Sequence, residues 1–167
     1  VSLTPQESCV RAVGSSQSDE SSALLAIGGG KLALQFFLAR ANNEDLECLE
    51  DLEISFLGKG TTRTKATIDH RINAVKAVPL AGCRSHLVVA GDSDGNCHLF
   101  LVSEDTQTRP PFGLFAPTSS RPILCIEIIP VCGRLLVLVG TTGGDVLLFD
   151  LPSAVDEIND QWETIIS

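Results

Sequence analysis

The sequence predicts an all-β chain made of about three four-stranded antiparallel units, and three observations predict it. Apolar runs rich in Val, Ile, Leu and Phe, the residues that suit pleated strands, succeed one another along most of the 167 residues. Short clusters of Gly, Asp, Asn and Thr separate the runs and supply the positive φ values and local hydrogen bonds of tight turns. The same order of features then occurs three times, which marks a repeat architecture rather than a single sheet.

The first unit covers about residues 8–57. It opens with CVRAV (9–13) as a short strand and continues through ALLAIGGGKLALQFFLA (23–39), two runs joined at GGGK. Its fourth strand is expected in LEISFL (52–57). The overlapping EDLECLEDLE places Leu46, Leu49 and Leu52 on one helical face, so a short helix is the alternative there and strand plus insertion the preferred reading. An insertion follows at about 58–70, which makes the spacing from Gly28 to Gly91 longer than that from Gly91 to Gly140.

The second unit, about 71–117, reads INAVKAVPL (72–80), then HLVVAGDSDGNCHLFLV (86–102), then FGLFAP (112–117) as a fourth strand. Its hairpin is read as the inner strands of the unit, with Asp94 and Gly95 in the turn that holds their register. The third unit, about 121–153, reads ILCIEIIPV (123–131) and LLVLVGTTGGDVLLFDL (135–151), with Gly143 and Gly144 in the turn. AVDEINDQWETIIS (154–167) is expected to be incomplete, irregular or helical.

Composition narrows the function. The net charge of −9 is a poor match to a general nucleic-acid binder, which needs clustered Lys and Arg against phosphates. One local positive island stands out: Lys59, Arg63, Lys65 and Arg71 accompany a single acid, Asp69, and form a candidate contact for a phosphate backbone or an acidic partner. The acidic run Glu44 to Glu53 is a second candidate surface, complementary to a basic protein. No apolar run is long enough to span a membrane, the first ten residues lack the pattern of a signal peptide, and a cytoplasmic location without membrane contact is expected. The chain begins at Val1 and is expected to be a piece of a longer protein.

The motifs of catalysis and metal binding are weak. Read from Asp92, DSDGN fails as a calcium loop, because its sixth residue is Cys97 and its twelfth Ser103. Cys83, His86, Cys97 and His98 suggest zinc, but Cys97 and His98 are adjacent on a strand and point to opposite faces. AIGGGK and GKGTT do not fit a phosphate loop. No nucleophile elbow occurs, and His70, His86 and His98 have no evident carboxylate–nucleophile constellation. The six cysteines lack a CxxC pair; four of them, Cys9, Cys48, Cys97 and Cys125, lie in apolar or alternating runs and read as reduced core thiols. No enzyme activity, cofactor or metal is expected.

Four-stranded units repeating every 40–50 residues or so mean propeller blades. The motifs resemble the WD-repeat family: in AGDSDGNCHLFL, Asp94 and Gly95 fill the turn and Phe100 takes the usual Trp position, while in VGTTGGDVLLFD the pair Phe149–Asp150 stands for the name-giving Trp-Asp. No Gly-His dipeptide precedes any unit, so the side-chain network of that family is altered or absent. The resemblance implies a WD40-like propeller segment whose remaining blades lie in the parent chain.

ESCVRAV, RTKATIDHRINAVKAV, LVVAGDSDGNCHLFLV and RPILCIEIIPVCGRLLVLVGTTGGDVLLFDL further resemble the C-terminal propeller of the WD-repeat proteins that partner the tRNA 2′-O-methyltransferase acting at the anticodon wobble nucleotide. That likeness implies a non-catalytic cytoplasmic scaffold which binds the methyltransferase and helps present tRNA. The alternatives are a general adaptor that reads peptides without RNA, and a small ligand-binding β-domain.

Overall fold

The computed structural model describes residues 10–17, 22–29, 33–41, 47–53, 71–80, 84–104, 113–115, 121–132 and 134–151. All regular structure among these residues is extended. The first sheet runs β1 (Val10–Gln17), β2 (Ser22–Gly29), β3 (Ala33–Arg40), β4 (Glu47–Glu53); the second β5 (Ile72–Pro79), β6 (Ser85–Asp92), β7 (Cys97–Ser103), β8 (Gly113–Phe115); the third β9 (Ile123–Val131), β10 (Arg134–Thr141), β11 (Val146–Leu151). In each sheet, spatial order follows chain order and every neighbour is antiparallel. The described residues thus form three antiparallel sheets, the third with three strands, and residues 154–167 lie outside the described residues.

β4 corrects one detail. It runs from Glu47 to Glu53, so it starts five residues ahead of the expected LEISFL and takes in Leu52 and Glu53, on the segment whose leucine spacing also allowed a helix; residues 54–57 lie outside the described residues. The open edge of β3 supplies backbone partners for it, with Phe36 opposite Glu50 and Leu34 opposite Leu52. A ladder of tertiary hydrogen bonds outweighs the weak helical pattern of seven residues.

The sheets stack face against face, as blades do. Each sheet meets the next mainly through first strands: β1 lies against β5, and β5 against β9. The first joint buries Leu24, Leu34 and Phe36 of the first sheet against Val88, Phe100 and Val102 of the second. Phe36 and Phe100 meet edge to face, with centroids 5.7 Å apart, worth about 0.5–1.5 kcal/mol beyond the area they bury. The second joint buries Leu87, Val89 and Leu99 against Ile126, Val137 and Val139, with Phe149 packed on the rim. The hairpin 88–102 supplies the inner pair of its unit, as expected. β6 and β7 are the middle strands, and β5 is the strand that meets both neighbouring sheets.

Two regularities run through all three sheets. The first strand skips one residue in its pairing at the same place, at Arg11, Asn73 and Leu124, a bulge that bends the strand where it enters the sheet. Across from each skip stands a glycine: Gly28, Gly91 or Gly140. Gly28 admits Ile72 and Val75 of the second sheet, and Gly91 admits Ile123 and Ile126 of the third. A Cβ on Gly91 would stand 2.7 Å from the Cβ of Ile123. The glycine is thus the hole, and the β-branched start of the following sheet the knob.

Candidate functional site

Two polar clusters occupy positions where a site would be sought. The first is the β6–β7 turn. Gly95 takes φ +89°, in the left-handed region that closes the turn at no steric cost. The Asp92 carboxylate organises everything around it: Oδ1 accepts from the backbone N–H of Asp94 (2.9 Å) and of Asn96 (2.8 Å), and Oδ2 accepts from Asn96 Nδ2 (3.0 Å) and His98 Nε2 (2.9 Å). Burial alone would raise the pKa of Asp92, but these hydrogen bonds, with the charge of His98, outweigh it and hold the carboxyl below its ordinary value. The turn is also tied to the start of β5, where Ser93 N–H donates to the Arg71 carbonyl and Arg71 N–H to Ser93 Oγ.

The third sheet repeats the turn with different chemistry. Gly144 takes φ +82°, Thr142 N–H donates to the Pro122 carbonyl, and Thr141 stands at the position of Asp92. Its hydroxyl accepts from Gly143 N–H and donates to Asp145 Oδ2 at 3.4 Å. The acid has moved to the far side of the turn, so the backbone bonds persist while the carboxylate at the centre is lost. Gly143 leaves room for the Arg121 side chain lying over it.

The second cluster lies inside the first joint. His86 on β6 is fully buried, with Nδ1 at 2.8 Å from Ser16 Oγ of β1 and Nε2 at 2.9 Å from Glu104 Oε1 just after β7. Ser22 Oγ of β2 donates to Glu104 Oε2 at 2.9 Å. With an ionised Glu104, Nε2 carries the proton given to the carboxylate and Nδ1 accepts the Ser16 hydroxyl. A hydroxyl, an imidazole and a carboxylate in line are the parts of a nucleophilic triad. Here they are walled in, because Ser16 is 5% and Glu104 5% exposed. A substrate would reach the hydroxyl only by parting the sheets, so the arrangement acts as a polar clasp between them.

These clusters correct the expectation that no histidine has a carboxylate or nucleophile at hand: His86 has both, and His98 has Asp92. Sequence separation hid the clasp, since Ser16 and His86 come from different units. The signal for the turn cluster was present in DSDGNCH, where Asp and His on the two arms of a hairpin fall side by side. Asp94 and Gly95 occupy the turn itself, and the carboxylate that ties it together is that of Asp92.

Of the positive island, Arg71 is half-buried at the entry to β5, while Lys59, Arg63 and Lys65 lie outside the described residues. Of the acidic run Glu44 to Glu53, the part from Glu47 to Glu53 falls on β4, the edge strand of the first sheet, and residues 44–46 lie outside the described residues. Cys97 is buried, and its thiol is pushed up to about 12 by burial and by the negative charge of Asp92. Cys125, expected in the core, is exposed, because it lies on the outer face of the third sheet; Cys132 is exposed at a turn with φ +47°. Cys9 and Cys83 lie outside the described residues. Among the described residues, no three His, Cys, Asp or Glu side chains converge to hold a metal ion. No protein-family model matches the chain, and no curated protein matches it.

Proposed function

We propose that the chain is a non-catalytic WD-repeat-type scaffold, a propeller segment that presents its loops and faces to a protein partner. The observation that supports this reading is where the reactive groups go. His86, Glu104, Ser16, Asp92 and His98 are all buried and spent on holding sheets and turns together. On such a scaffold, recognition falls to the loops and exposed rims.

The specific partner is the tRNA 2′-O-methyltransferase of the anticodon wobble position. This rests on the likeness of four stretches of the chain to the WD-repeat partners of that enzyme. The methyl donor site then lies on the partner, and Lys59, Arg63, Lys65 and Arg71 face tRNA or the enzyme. The test is depletion of the parent protein from cells, with wobble-position 2′-O-methylation of tRNA measured by mass spectrometry. A selective loss is expected. Unchanged methylation would overturn the tRNA reading and leave a peptide-binding adaptor, whose partner an affinity capture would identify. Lys59, Arg63 and Lys65 replaced together by Glu should weaken tRNA or partner binding, and unchanged binding would remove that surface from the proposal.

A further inference from the structure

The turn between β10 and β11 carries a cation that the fold itself does not use. Arg121 stands just before β9 and is exposed. Its side chain lies across Gly143, where a Cβ would collide with Nη1 and stand 2.7 Å from Cζ. Among the described residues, its guanidinium has no hydrogen-bond or ion-pair partner. The acid of this turn, Asp145, is engaged by the Thr141 hydroxyl instead. Thr142 is also exposed and is fixed beside Arg121, because its N–H donates to the Pro122 carbonyl at 3.0 Å. Its hydroxyl, too, has no partner among the described residues.

The second sheet shows what this turn has lost. Register matches Thr141, Gly143 and Gly144 with Asp92, Asp94 and Gly95, so a glycine replaces an aspartate under Arg121. The glycine opens the space in which the long side chain lies, and it removes the carboxylate that the repeat carries there. What remains is a guanidinium laid down on a turn, at the end of the stack and not on a face between sheets. Its planar fork of N–H donors matches a carboxylate with two parallel hydrogen bonds. A side chain already held in place also loses less freedom when it binds.

We infer that Arg121 and Thr142 bind a carboxylate of the protein partner, an Asp or Glu side chain on one of its exposed loops. A single carboxylate suits this turn better than a phosphate backbone. The chain carries a net charge of −9, and Asp94 and Asp145 stand on the turns at this end, so a polyanion drawn to one cation would meet both acids. The inference rests on the scaffold reading above and adds to it a contact by which the partner is held.

The wobble-position methyltransferase is the probe, titrated onto the parent protein by calorimetry. Arg121→Glu should weaken binding about tenfold or more and Thr142→Ala about threefold, with Arg121→Lys between them because it keeps the charge and loses the fork. Gly143→Asp restores under Arg121 the acid of the second sheet, occupies the guanidinium from within, and should weaken binding about fivefold or more. Wild-type affinity in Arg121→Glu or in Gly143→Asp would overturn the inference. Variants that lower affinity for tRNA and leave the methyltransferase bound would also overturn it, since the anion would then be a phosphate. A wild-type protein that does not bind the methyltransferase removes the partner named above but not the site, and quantitative affinity capture from cells then decides. One protein lost from the captures of both Arg121→Glu and Gly143→Asp upholds the inference, and captures identical to wild type overturn it. Far-ultraviolet circular dichroism and the Tm of each variant separate lost binding from lost folding.

Discussion

Replacing Gly91 with alanine tests the knob-and-hole joint directly. Gly91 has an ordinary negative φ, so alanine fits its backbone and restricts the unfolded chain, a gain of about 0.4–1 kcal/mol. Against this, the new methyl would meet the Ile123 Cβ at 2.7 Å and the Ile126 Cδ1 at 3.0 Å. The first contact is the serious one, because a Cβ is fixed to its strand and cannot swing aside. Overpacking of a tight core costs about 1–3 kcal/mol, and this geometry belongs in the upper half of that range. The net expectation is a loss of about 2 kcal/mol, or roughly 4–8 °C in Tm. Gly140→Ala is the control. Among the described residues its methyl would meet only the Cys125 Sγ at 2.6 Å, an exposed thiol free to rotate, so stability should hold or rise slightly. Urea unfolding of both variants beside the wild type gives the answer. Equal stability of Gly91→Ala and wild type, or an equal loss in Gly140→Ala, would refute the joint. Ile123→Ala, costly by itself at about 2–5 kcal/mol, should lessen the further loss caused by Gly91→Ala.

Asp92 is depressed below its ordinary value, so the unfolded chain takes up its proton first as the pH falls. Its contribution is present above about pH 4 and fades as the pH drops through the native value, and Asp92→Asn should flatten stability against pH there, read by urea midpoints from pH 2.5 to 6. Asp92→Ala should cost about 2–3 kcal/mol, and Asp94→Ala less than half as much in the same assay. Glu104→Ala should cost about 3 kcal/mol by leaving the buried His86 Nε2 without its acceptor, and Ser16→Ala about 1 kcal/mol; a Glu104→Ala protein as stable as the wild type would dismiss the clasp. In native protein at pH 8, iodoacetamide should modify Cys132 and spare Cys97 until urea is added, as followed by peptide mass spectrometry.

The repeat was legible because the turns announce themselves. GDSDGN and GTTGGD mark equivalent hairpins, and the apolar runs flanking them became β6, β7, β10 and β11. The fourth strand at Gly113–Phe115 was legible for the same reason. The position of β4 was not, since nothing in ECLEDLE states that β3 offers an edge. Nor were the joints. The alternation along β5 gives the two faces of the strand, but that Gly28 answers Ile72 and Gly91 answers Ile123 depends on register between sheets, which no single stretch of sequence encodes. The clasp lay furthest from view, because a serine, a histidine and a glutamate far apart in sequence meet only once two sheets have stacked. Cys125 misled because an apolar setting in the chain became an open face in space.

The clasp also distinguishes the two joints from one another. Where the first joint sets Ser16 against His86, the second sets Val78 and Leu135 at the same register positions. The sheets share a common pattern yet are not exchangeable. A third sheet misplaced onto the first would leave the Ser16 hydroxyl facing Leu135, and a second sheet placed beyond the third would bury His86 against Ile129. Each error strands a polar group at about 1–3 kcal/mol, enough to lower its population roughly fivefold or more. During folding of a chain whose sheets resemble one another so closely, this one buried quartet works as a key, fixing which sheet may follow which.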